Sequence, residues 1–431
     1  MTIIGAGYVG LTAGCCFAQK HHRVLFYDTN AKKVALLERQ QLPFYEPHLA
    51  PLLASGVVSG KITFTTNFKA AITHGDIIFI AVGTPQQEDG TVAMQALEEV
   101  IDRTIKMLKQ KKLVVIKSTV PIGTTNRLSR RAQAHKADIT IINNPEFLPE
   151  GQAVHGFLSP DRVVIGTEEA TVQNQMLALY KDFVPENRIL FMSALEAELT
   201  KYTANAMLAT RISLMNEVAE LADAIKVDFR KVQVGVGLDR RIGSRYLRSG
   251  VGYGGSCLKK DLNALCHYAL EQGVKLAICH EVHNRNERQK QQLVQLALQY
   301  YHGVLSNKIF VVWGLSFKAH TDDMRDAPST VLMDALLHHG AHIRVYDPKA
   351  SLLARHEACG VVQYTNQQES LSGAHALFIC TDWGEFKNYP YQHFQNMLTD
   401  QVIFDGRNIY PEQEVVQHKC RYFGIGFRYD P

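Results

Sequence analysis

The sequence predicts an α/β protein with two doubly wound, mostly parallel sheets, joined by a long central helix and a helical middle region. Residues 1 to about 195 alternate short β-branched runs with helix-period segments, and residues from about 301 onward return to that alternation. Such alternation favours βαβ units and parallel sheets. Helix-period apolar residues dominate the stretch between the two regions. We therefore expect three domains, at residues 1–195, 196–300 and 301–431.

The short apolar runs of the first and third regions are expected to form buried strands. Those of the first region are Arg23–Tyr27, Asp76–Val82, Leu113–Lys117, Thr140–Asn143 and Arg162–Gly166. Those of the third are Ile309–Leu315, Ile343–Tyr346, Ala376–Thr381 and Val402–Phe404. The two halves resemble each other as patterns, although no convincing sequence repeat relates them.

The middle region is expected to be helical. From Leu195 to Ile225 the apolar residues recur at helical spacing, with no proline or glycine to interrupt them. This is long for a globular helix. A loop rich in glycine and arginine follows from Val234 to Gly255, and a helical pattern resumes at Leu258. Such a stretch suits a spine between two domains and a homodimer surface.

Composition excludes several classes of function. The chain has 431 residues, 46% hydrophobic and 20% charged, with a net charge of +4. That charge gives no support for nucleic-acid binding but suits an anionic small substrate. No apolar run reaches the ~18–20 residues of a membrane span, and the N-terminus lacks a signal-peptide pattern. The eight cysteines form no C-x-x-C pair, so we expect a cytoplasmic protein and no metal site.

The chain opens with the pattern Gly5-Ala6-Gly7-Tyr8-Val9-Gly10, which matches G-x-G-x-x-G. Alone the pattern also occurs in ordinary loops, but here an apolar Ile3-Ile4 precedes it and a helical pattern follows. The glycines permit a tight turn and allow a pyrophosphate to reach the helix N-terminus. We therefore predict a Rossmann-like domain, whose first strand is short because four residues precede Gly5.

The second predicted strand ends at Asp28, 18 positions after Gly10. A carboxylate there binds the adenosine ribose hydroxyls and repels a 2′-phosphate, which favours NAD over NADP. Asp28 is also compatible with a helix N-cap. Lys33 is compatible both with a ribose contact and with a solvated helix face.

Polar residues follow other strands of the first domain. Gly83-Thr84-Pro85 and Ser118-Thr119-Val120-Pro121 stand where ligands bind in open α/β sheets, although both are also ordinary proline turns. Glu146 and Glu150 lie four positions apart in a loop, where acids are commonly just solvated. Lys201 and Asn205 share one face of the long helix, a pairing that is also common on surfaces.

Cys257 has the most suggestive setting in the chain. It follows Gly254-Gly255-Ser256 and precedes Lys259, Lys260 and Asp261. Glycines permit close approach of a ligand, and nearby cations favour the nucleophilic thiolate. Most lone cysteines are buried core residues. The glycines and charges here favour instead a nucleophile that traps an aldehyde during oxidation to an acid.

Taken in order, the motifs closely resemble the UDP-glucose/GDP-mannose dehydrogenase family over essentially the whole chain. The motifs that carry this resemblance are Gly5–Gly10, Tyr45-Glu46-Pro47, Gly83-Thr84-Pro85, Ser118-Thr119-Val120-Pro121, Pro145-Glu146-Phe147-Leu148, Lys201-Tyr202-Thr203-Ala204-Asn205-Ala206, Arg241-Ile242-Gly243, Gly254-Gly255-Ser256-Cys257, Gly314-Leu315-Ser316-Phe317-Lys318, Thr321-Asp322-Asp323-Met324-Arg325 and Asp405-Gly406-Arg407-Asn408.

The resemblance implies an NAD-dependent, four-electron oxidation of a nucleotide-sugar alcohol to a carboxylate. Cys257 matches the family's catalytic thiol, which forms a thiohemiacetal and then a thioester, and Lys201, Asn205 and Asp261 match the polar groups around it. Thr119 and Glu150 match residues that handle the attacking water, with Glu146 nearby. The implied domains are an NAD-binding domain, a central dimerisation domain and a UDP-sugar-binding domain.

The resemblance also assigns binding residues. Those expected to contact NAD are Gly5, Gly7, Tyr8, Val9, Gly10, Asp28, Lys33, Thr84, Thr119, Glu150 and Arg325. Those expected to contact the UDP-sugar are Phe147, Leu148, Pro149, Glu150, Lys201, Asn205, Arg241, Tyr246, Gly254, Lys318 and Arg407. Among them, Arg241 matches an arginine that reaches the substrate of the neighbouring subunit.

Two departures from the family pattern and several alternative functions remain at this stage. Leu258 stands where the family commonly has an aromatic residue, and Lys259 where it commonly has proline. Tyr45-Glu46-Pro47 and the approach to Cys257 favour a UDP-glucose substrate over GDP-mannose. Ser256 stands where the N-acetylmannosamine enzymes usually have histidine. A two-electron hydroxyacid or 6-phosphogluconate-type dehydrogenase and a non-catalytic nucleotide-sugar sensor are the other readings.

Overall fold

A computed structural model describes residues 1–87, 89–108, 110–418 and 420–429 of the chain. It contains two compact units. The first comprises Met1–Ala204 with Asn263–Val274, and the second comprises Asn205–Leu262 with the chain from Lys275 onward. The three domain boundaries inferred from the sequence stay a prediction.

The first unit is built on a sheet of 8 strands in the order β3-β2-β1-β4-β5-β6-β7-β8. Neighbouring strands are parallel except β6 and β7. The strands are β1 Thr2–Ile4, β2 Val24–Tyr27, β3 Ile62–Thr65, β4 Ile77–Ile80, β5 Lys112–Ile116, β6 Ile139–Asn143, β7 Val163–Gly166 and β8 Ile189–Met192. The first six follow the strand order of a dinucleotide-binding Rossmann fold.

Helices cover this sheet on both faces. They are α1 Tyr8–Gln19, α2 Ala31–Glu38, α3 Leu49–Val58, α4 Phe68–His74, α5 Gln95–Met107, α6 Thr124–Ala134, α7 Ala153–Leu158 and α8 Ala170–Tyr180. Alternate strand residues enter different cores, with Ile3 and Phe79 in one and Ile4 and Ile78 in the other. This period of two explains why the strands read as continuous apolar runs.

The second unit contains a sheet of 7 strands in the order β11-β10-β9-β12-β13-β14-β15. Its strands are β9 Ile309–Trp313, β10 His342–Tyr346, β11 Val362–Gln363, β12 Ala374–Ile379, β13 Leu398–Asp405, β14 Arg421–Gly424 and β15 Arg428–Tyr429. All neighbours are parallel except β14 and β15. Its first six strands repeat the order seen in the first unit, which confirms two doubly wound folds.

The predicted long helix is present as α9, Ala194–Ala224, with 31 residues. The other helices of the middle and third regions are α10 Phe229–Gly237, α11 Leu258–Glu271, α12 Ala277–Gln289, α13 Gln292–Tyr300, α14 Pro328–His338, α15 Ala354–Ala358, α16 Gln367–Leu371, α17 Gly384–Lys387, α18 His393–Met397 and α19 Glu412–Gln417. Within the described residues, no helix combines the length and the apolar character needed to cross a bilayer.

The sequence-predicted strands are all found, with ends that differ by one to a few residues. Five strands escaped the sequence analysis, namely Ile62–Thr65, Ile189–Met192, Val362–Gln363, Arg421–Gly424 and Arg428–Tyr429. Most lie at sheet edges or are very short, so their residues are partly exposed and carry a weak apolar pattern.

Candidate active site

The glycine turn of the first unit has the shape that a dinucleotide requires. Gly5 follows β1 with φ +100°, a backbone conformation that side chains rarely adopt. A Cβ atom at Gly10 would lie 2.0 Å from the Gly5 carbonyl oxygen, so glycine is required there. A Cβ atom at Gly7 would meet nothing within 4 Å, so the backbone at the start of α1 is open to a ligand. The residues therefore fit a pyrophosphate at the helix N-terminus.

Asp28 closes the same turn. One of its carboxylate oxygens, Oδ2, accepts a hydrogen bond from the Ala6 N–H at 3.1 Å and pairs with Lys33 Nζ at 2.8 Å. The alternative that Asp28 caps the next helix is wrong, because the N-cap of α2 is Asn30, whose side chain accepts the Lys33 N–H. Asp28 and Lys33 thus lie together at the end of β2, where the ribose binds in this fold.

The turns after β4 and β5 are joined to each other. Thr84 Oγ1 donates to the Thr119 carbonyl at 2.8 Å, and Ser118 Oγ donates to the Val82 carbonyl at 2.7 Å. Thr119 lines a narrow crevice together with Pro145 and Lys201. The two proline turns are therefore parts of one structure at the carboxyl ends of these strands.

Glu146 and Lys201 form a buried ion pair in the first unit. Their side chains are 8% and 5% exposed, and Lys201 Nζ lies 3.0 Å from Glu146 Oε1. The other carboxylate oxygen accepts the Leu148 N–H at 2.6 Å. Burial disfavours the charged carboxylate, but the Lys201 charge and the Leu148 hydrogen bond outweigh it and lower the pKa of Glu146. The predicted substrate segment is thereby fixed to Lys201.

Phe147, between these groups, has two cations over its ring. The Arg162 guanidinium lies 3.6 Å from the ring centroid, and Lys201 Nζ lies 5.3 Å from it. Cation–π contact of this kind orients both charges. Phe147 therefore helps to hold Lys201 in place, in addition to its predicted substrate contact.

Lys117 is a buried cation that the sequence analysis did not single out. Its ammonium donates to Asn144 Oδ1 at 3.2 Å and to the Tyr180 hydroxyl at 3.5 Å. Burial lowers the pKa of Lys117 to about 8, an effect that the Glu146 charge opposes. The sequence does not show that this lysine is buried, because solvated lysines are also found at the ends of apolar strands.

Cys257 lies at the start of α11 in the second unit. Its carbonyl accepts the Asp261 N–H at 2.8 Å, and its sulfur lies 3.4 Å from Ser256 Oγ. The thiol is partly exposed, unlike the buried Cys380 and Cys420 of the same unit. A thiol at a helix N-terminus is in a position that favours thiolate. The alternative of a core cysteine does not fit this position.

The glycine-rich approach to Cys257 is held tightly. A Cβ atom at Gly254 would lie 2.5 Å from the Asp326 carbonyl oxygen, and one at Gly255 would lie 2.9 Å from the Phe317 ring. The Gly255 N–H donates to the Arg325 carbonyl at 2.8 Å. The glycines are thus needed for close packing against the segment that carries Lys318 and Arg325.

Asp261 is completely buried and paired on both sides. Asn205 Nδ2 donates to its Oδ2 at 2.6 Å, and Lys260 Nζ lies 2.5 Å from its Oδ1. These contacts join the first turn of α11 to α9. The structure therefore brings together Asn205 and Asp261, two of the groups that the sequence placed around the thiol.

Lys259 has a clear structural role. It pairs with Glu287 at 3.2 Å and with Asp326 at 3.4 Å, and Lys290 pairs with the same two carboxylates. The Asp326 and Glu287 charges raise the pKa of Lys259 against the effect of burial. An ion-pair cluster thus fixes the first turn of α11.

Three other predicted residues of the second unit also have close contacts. Arg407 donates to the carbonyls of Cys380 and Phe317, both at 2.7 Å. Lys318 Nζ lies 5.5 Å from the Phe317 ring centroid. Arg325 pairs with Asp323 at 2.7 Å. Among the described residues, no group of three or more His, Cys, Asp and Glu side chains could hold a metal ion.

Three family models match the chain in order. Residues 1–184 match the NAD binding domain of the UDP-glucose/GDP-mannose dehydrogenase family, residues 195–288 match its central domain, and residues 311–412 match its UDP binding domain. The chain belongs to the UDP-glucose/GDP-mannose dehydrogenase family. The prediction of NAD as cofactor is thereby confirmed, and the UDP binding domain indicates a UDP-sugar substrate.

Relatives in the UDP-glucose/GDP-mannose dehydrogenase family span the whole chain. A UDP-glucose 6-dehydrogenase from Pseudomonas aeruginosa is 38% identical over 99% of this chain and 97% of its own. One from Bacillus subtilis is 38% identical with the same coverage. The solved structure of a UDP-glucose dehydrogenase from Pyrobaculum islandicum is 35% identical, covers 99% of this chain and 97% of its own, and has a TM-score of 0.89.

Arg241 and Tyr246 occupy a loop after α10 that is exposed in the second unit. The Arg241 side chain is 89% exposed and pairs with Asp239 at 2.6 Å, and Tyr246 is 42% exposed with φ +62°. The role that resemblance to the UDP-glucose/GDP-mannose dehydrogenase family gives Arg241, contact with a neighbouring subunit's substrate, stays a prediction.

Glu46 and Glu198 are buried carboxylates to which the sequence analysis gave no role. Glu198 accepts hydrogen bonds from the N–H groups of Gly123 and Thr125 and so caps α6 beside the Thr119 turn. Glu46 lies under the segment that carries Glu150. The sequence signal for Glu46 was its motif, Tyr45-Glu46-Pro47, but a motif alone does not say which backbone groups a carboxylate meets.

Proposed function

We propose that this chain oxidises UDP-glucose to UDP-glucuronate, reducing two NAD per sugar through covalent intermediates on Cys257. The observation that carries the proposal is the placement of a partly exposed thiol at the N-terminus of α11, one helical turn before the buried Asp261–Asn205 pair. Family membership and the UDP-glucose dehydrogenases among the relatives support the choice of reaction.

The first unit supplies the cofactor site. Gly5, Gly7 and Gly10 form the turn for the pyrophosphate, and Asp28 with Lys33 faces the adenosine ribose. NAD, when bound, accepts one hydride in each of the two oxidations. The carboxylate of Asp28 disfavours a 2′-phosphate, which supports NAD rather than NADP.

In the first oxidation, Lys201, Asn205 and Asp261 orient the groups that remove the C6 hydroxyl proton. The Cys257 thiolate then attacks the aldehyde carbon and forms a C–S bond. The resulting alkoxide is stabilised by the Lys201 ammonium and by the Asn205 amide, which has a second N–H beside the one bonded to Asp261. The aldehyde is therefore held covalently and is not released.

The second oxidation leaves the sugar as a thioester of Cys257. Glu150 and Thr119 orient a water molecule, which adds to the acyl carbon while the C–S bond breaks. The thiolate returns to Cys257, the carboxylate product forms, and no electrons are exchanged in this step. One UDP-glucose, two NAD and one water give one UDP-glucuronate, two NADH and three protons.

The nucleotide half of the substrate is assigned to the second unit. Lys318 and Arg407 lie near Phe317, on the turn after β9 and on the turn after β13. These turns follow the carboxyl ends of parallel strands, where ligands bind in open α/β sheets. We propose that the two cations contact the diphosphate of the UDP-sugar.

We also propose that the chain forms a homodimer through α9. Met207, Leu214 and Leu221 recur every seven residues on this helix and are 58%, 54% and 58% exposed. Heptad spacing of exposed apolar residues is typical of a helix that packs on a partner. A cytoplasmic location stays a prediction from the cysteine pattern.

The test is NADH formation with a panel of UDP- and GDP-sugars. We expect two NADH per UDP-glucose and slower or no turnover with GDP-mannose and UDP-N-acetylmannosamine. One NADH per sugar would support a two-electron dehydrogenase, and binding of UDP-glucose without NADH would support a sensor. Either outcome would refute the proposed reaction.

A further inference from the structure

The buried carboxylate of Glu46 joins two segments that the proposed function uses separately. Glu46 is 3% exposed, and its carboxylate accepts a hydrogen bond from the Tyr8 hydroxyl. It also accepts the N–H groups of Gly151 at 2.6 Å and Ala153 at 2.7 Å. None of the roles assigned above uses Glu46.

One of the two segments is the cofactor turn. Tyr8 is the first residue of α1, directly after Gly7, whose open backbone is suited to the pyrophosphate. Burial raises the pKa of the Tyr8 hydroxyl, and the Glu46 carboxylate raises it further, so this group stays a proton donor. The Tyr8 hydroxyl therefore stays protonated and can donate its hydrogen bond to Glu46.

The other segment carries Glu150. Gly151, the next residue, has φ +77°, and its N–H is within hydrogen-bond distance of Glu46 and of the Tyr8 hydroxyl, which lies at 3.0 Å. Ala153 is the first residue of α7, and the N-cap residue of that helix, Gln152, makes no side-chain capping hydrogen bond. Glu46 thus caps α7 from a distant part of the chain and satisfies a donor that would otherwise be buried without a partner.

We propose that Glu46 is a positioning residue for thioester hydrolysis, holding Glu150 in register with the cofactor turn. This inference rests on the proposed function, because it concerns the water that Glu150 orients. Three donors converge on one carboxylate, which has lone pairs for all of them. An amide in its place would turn an NH2 group toward at least one donor and release the backbone on either side of Gly151.

The substitution Glu46→Gln tests this role. Misplacement of a catalytic group by about 1 Å costs on the order of 100-fold in rate, so we expect hydrolysis to slow roughly 10–100-fold. Hydride transfer precedes hydrolysis, so the variant should release about two NADH per active site in a burst and then turn over slowly. Intact-protein mass spectrometry should show the uronyl thioester on Cys257 during the slow phase, as it should for Glu150→Gln.

A matched control separates positioning from general loss of stability. Asp223→Asn removes a partly buried carboxylate, one that accepts the Gly426 N–H at 3.4 Å and pairs with Arg428 at 3.2 Å. It should lower the unfolding temperature without accumulating the thioester. If Glu46→Gln does not fold, Glu46→Asp carries the test, since it keeps the charge but cannot reach all three donors.

The possible outcomes distinguish this inference from the proposed function. Wild-type enzyme that forms no NADH from UDP-glucose would refute the proposed function itself. If the wild-type enzyme forms two NADH, two results would overturn only the positioning role. One is that the Glu46 variants hydrolyse the thioester at the wild-type rate. The other is that they lose activity without a trapped thioester. A burst followed by the Cys257 adduct supports it.

Discussion

Replacement of Glu146 by glutamine should destabilise the first unit strongly. The Glu146 and Lys201 side chains are 8% and 5% exposed and their charged atoms lie 3.0 Å apart. Lys117 is also buried and its charge interacts with Glu146. Glutamine would leave two buried ammonium groups without the carboxylate that interacts with both.

The expected cost follows from that arrangement. Breaking a buried ion pair by removing one partner costs about 3–5 kcal/mol, since the remaining charge stays buried. Total stability of a folded protein is about 5–15 kcal/mol, so the loss is a large part of it. Removing both charges in Glu146→Gln/Lys201→Met should recover at least about 2 kcal/mol of the loss, because no unpaired lysine then remains at position 201.

The measurement is urea unfolding at pH 7 of the wild type, the two single variants and the double variant. A double-mutant cycle isolates the coupling between the two side chains. The substitution Glu99→Gln is a matched surface control, because Glu99 is 69% exposed and pairs with Arg103 at 3.5 Å in an ion pair that should contribute under about 1 kcal/mol. A coupling below about 0.5 kcal/mol would refute the view that Glu146 and Lys201 depend on each other.

Three other predictions concern the cofactor turn, the thiol and Lys117. Gly7→Ala should fold with an unchanged melting temperature yet raise the KM for NAD. Gly10→Ala should lose both stability and NAD binding, since its Cβ would lie 2.0 Å from the Gly5 oxygen. Calorimetry and NAD titration distinguish the two variants. Cys257→Ser should abolish UDP-glucuronate formation, measured by chromatography, and full turnover would refute covalent catalysis. The pKa of Lys117, lowered to about 8, lies below the unfolded value, so between pH 8 and 10 this side chain binds more protons in the unfolded state and its contribution to stability should rise with pH. Lys117→Met should remove this contribution, which is on the order of 3 kcal/mol, so the difference in urea midpoint between the variant and the wild type should change between pH 7.5 and pH 10.

The sequence analysis located most of the fold because both sheets are buried. Strands such as Ile77–Ile80 lie inside a sheet with helices on both faces, so every residue is apolar and the run is visible. The helix Ala194–Ala224 was found within one residue at each end, because no proline or glycine interrupts its pattern. Val362–Gln363 was missed, since two exposed residues at a sheet edge carry no such signal.

The candidate site divides in the same way. Local motifs singled out Gly5, Asp28 and Cys257 as candidates, because the role expected of each depends on the few residues around it. They could not decide between two roles for Asp28. Asn30, two residues later, caps the helix instead. Only the structure shows that the Asn30 side chain, and not Asp28, accepts the hydrogen bond from the first turn of α2.

The sequence by itself determined the two α/β folds and the cofactor turn and singled out Cys257 as the candidate nucleophile, because these depend on periodicity and on backbone conformations that only glycine adopts readily. Tertiary structure decided which charges meet. Glu146 and Lys201 are far apart in the chain yet form a buried pair, and Glu46 reaches the amides of Gly151 and Ala153. Sequence patterns do not reveal such partners, because a buried carboxylate is stabilised by whichever donors the fold brings within hydrogen-bond distance.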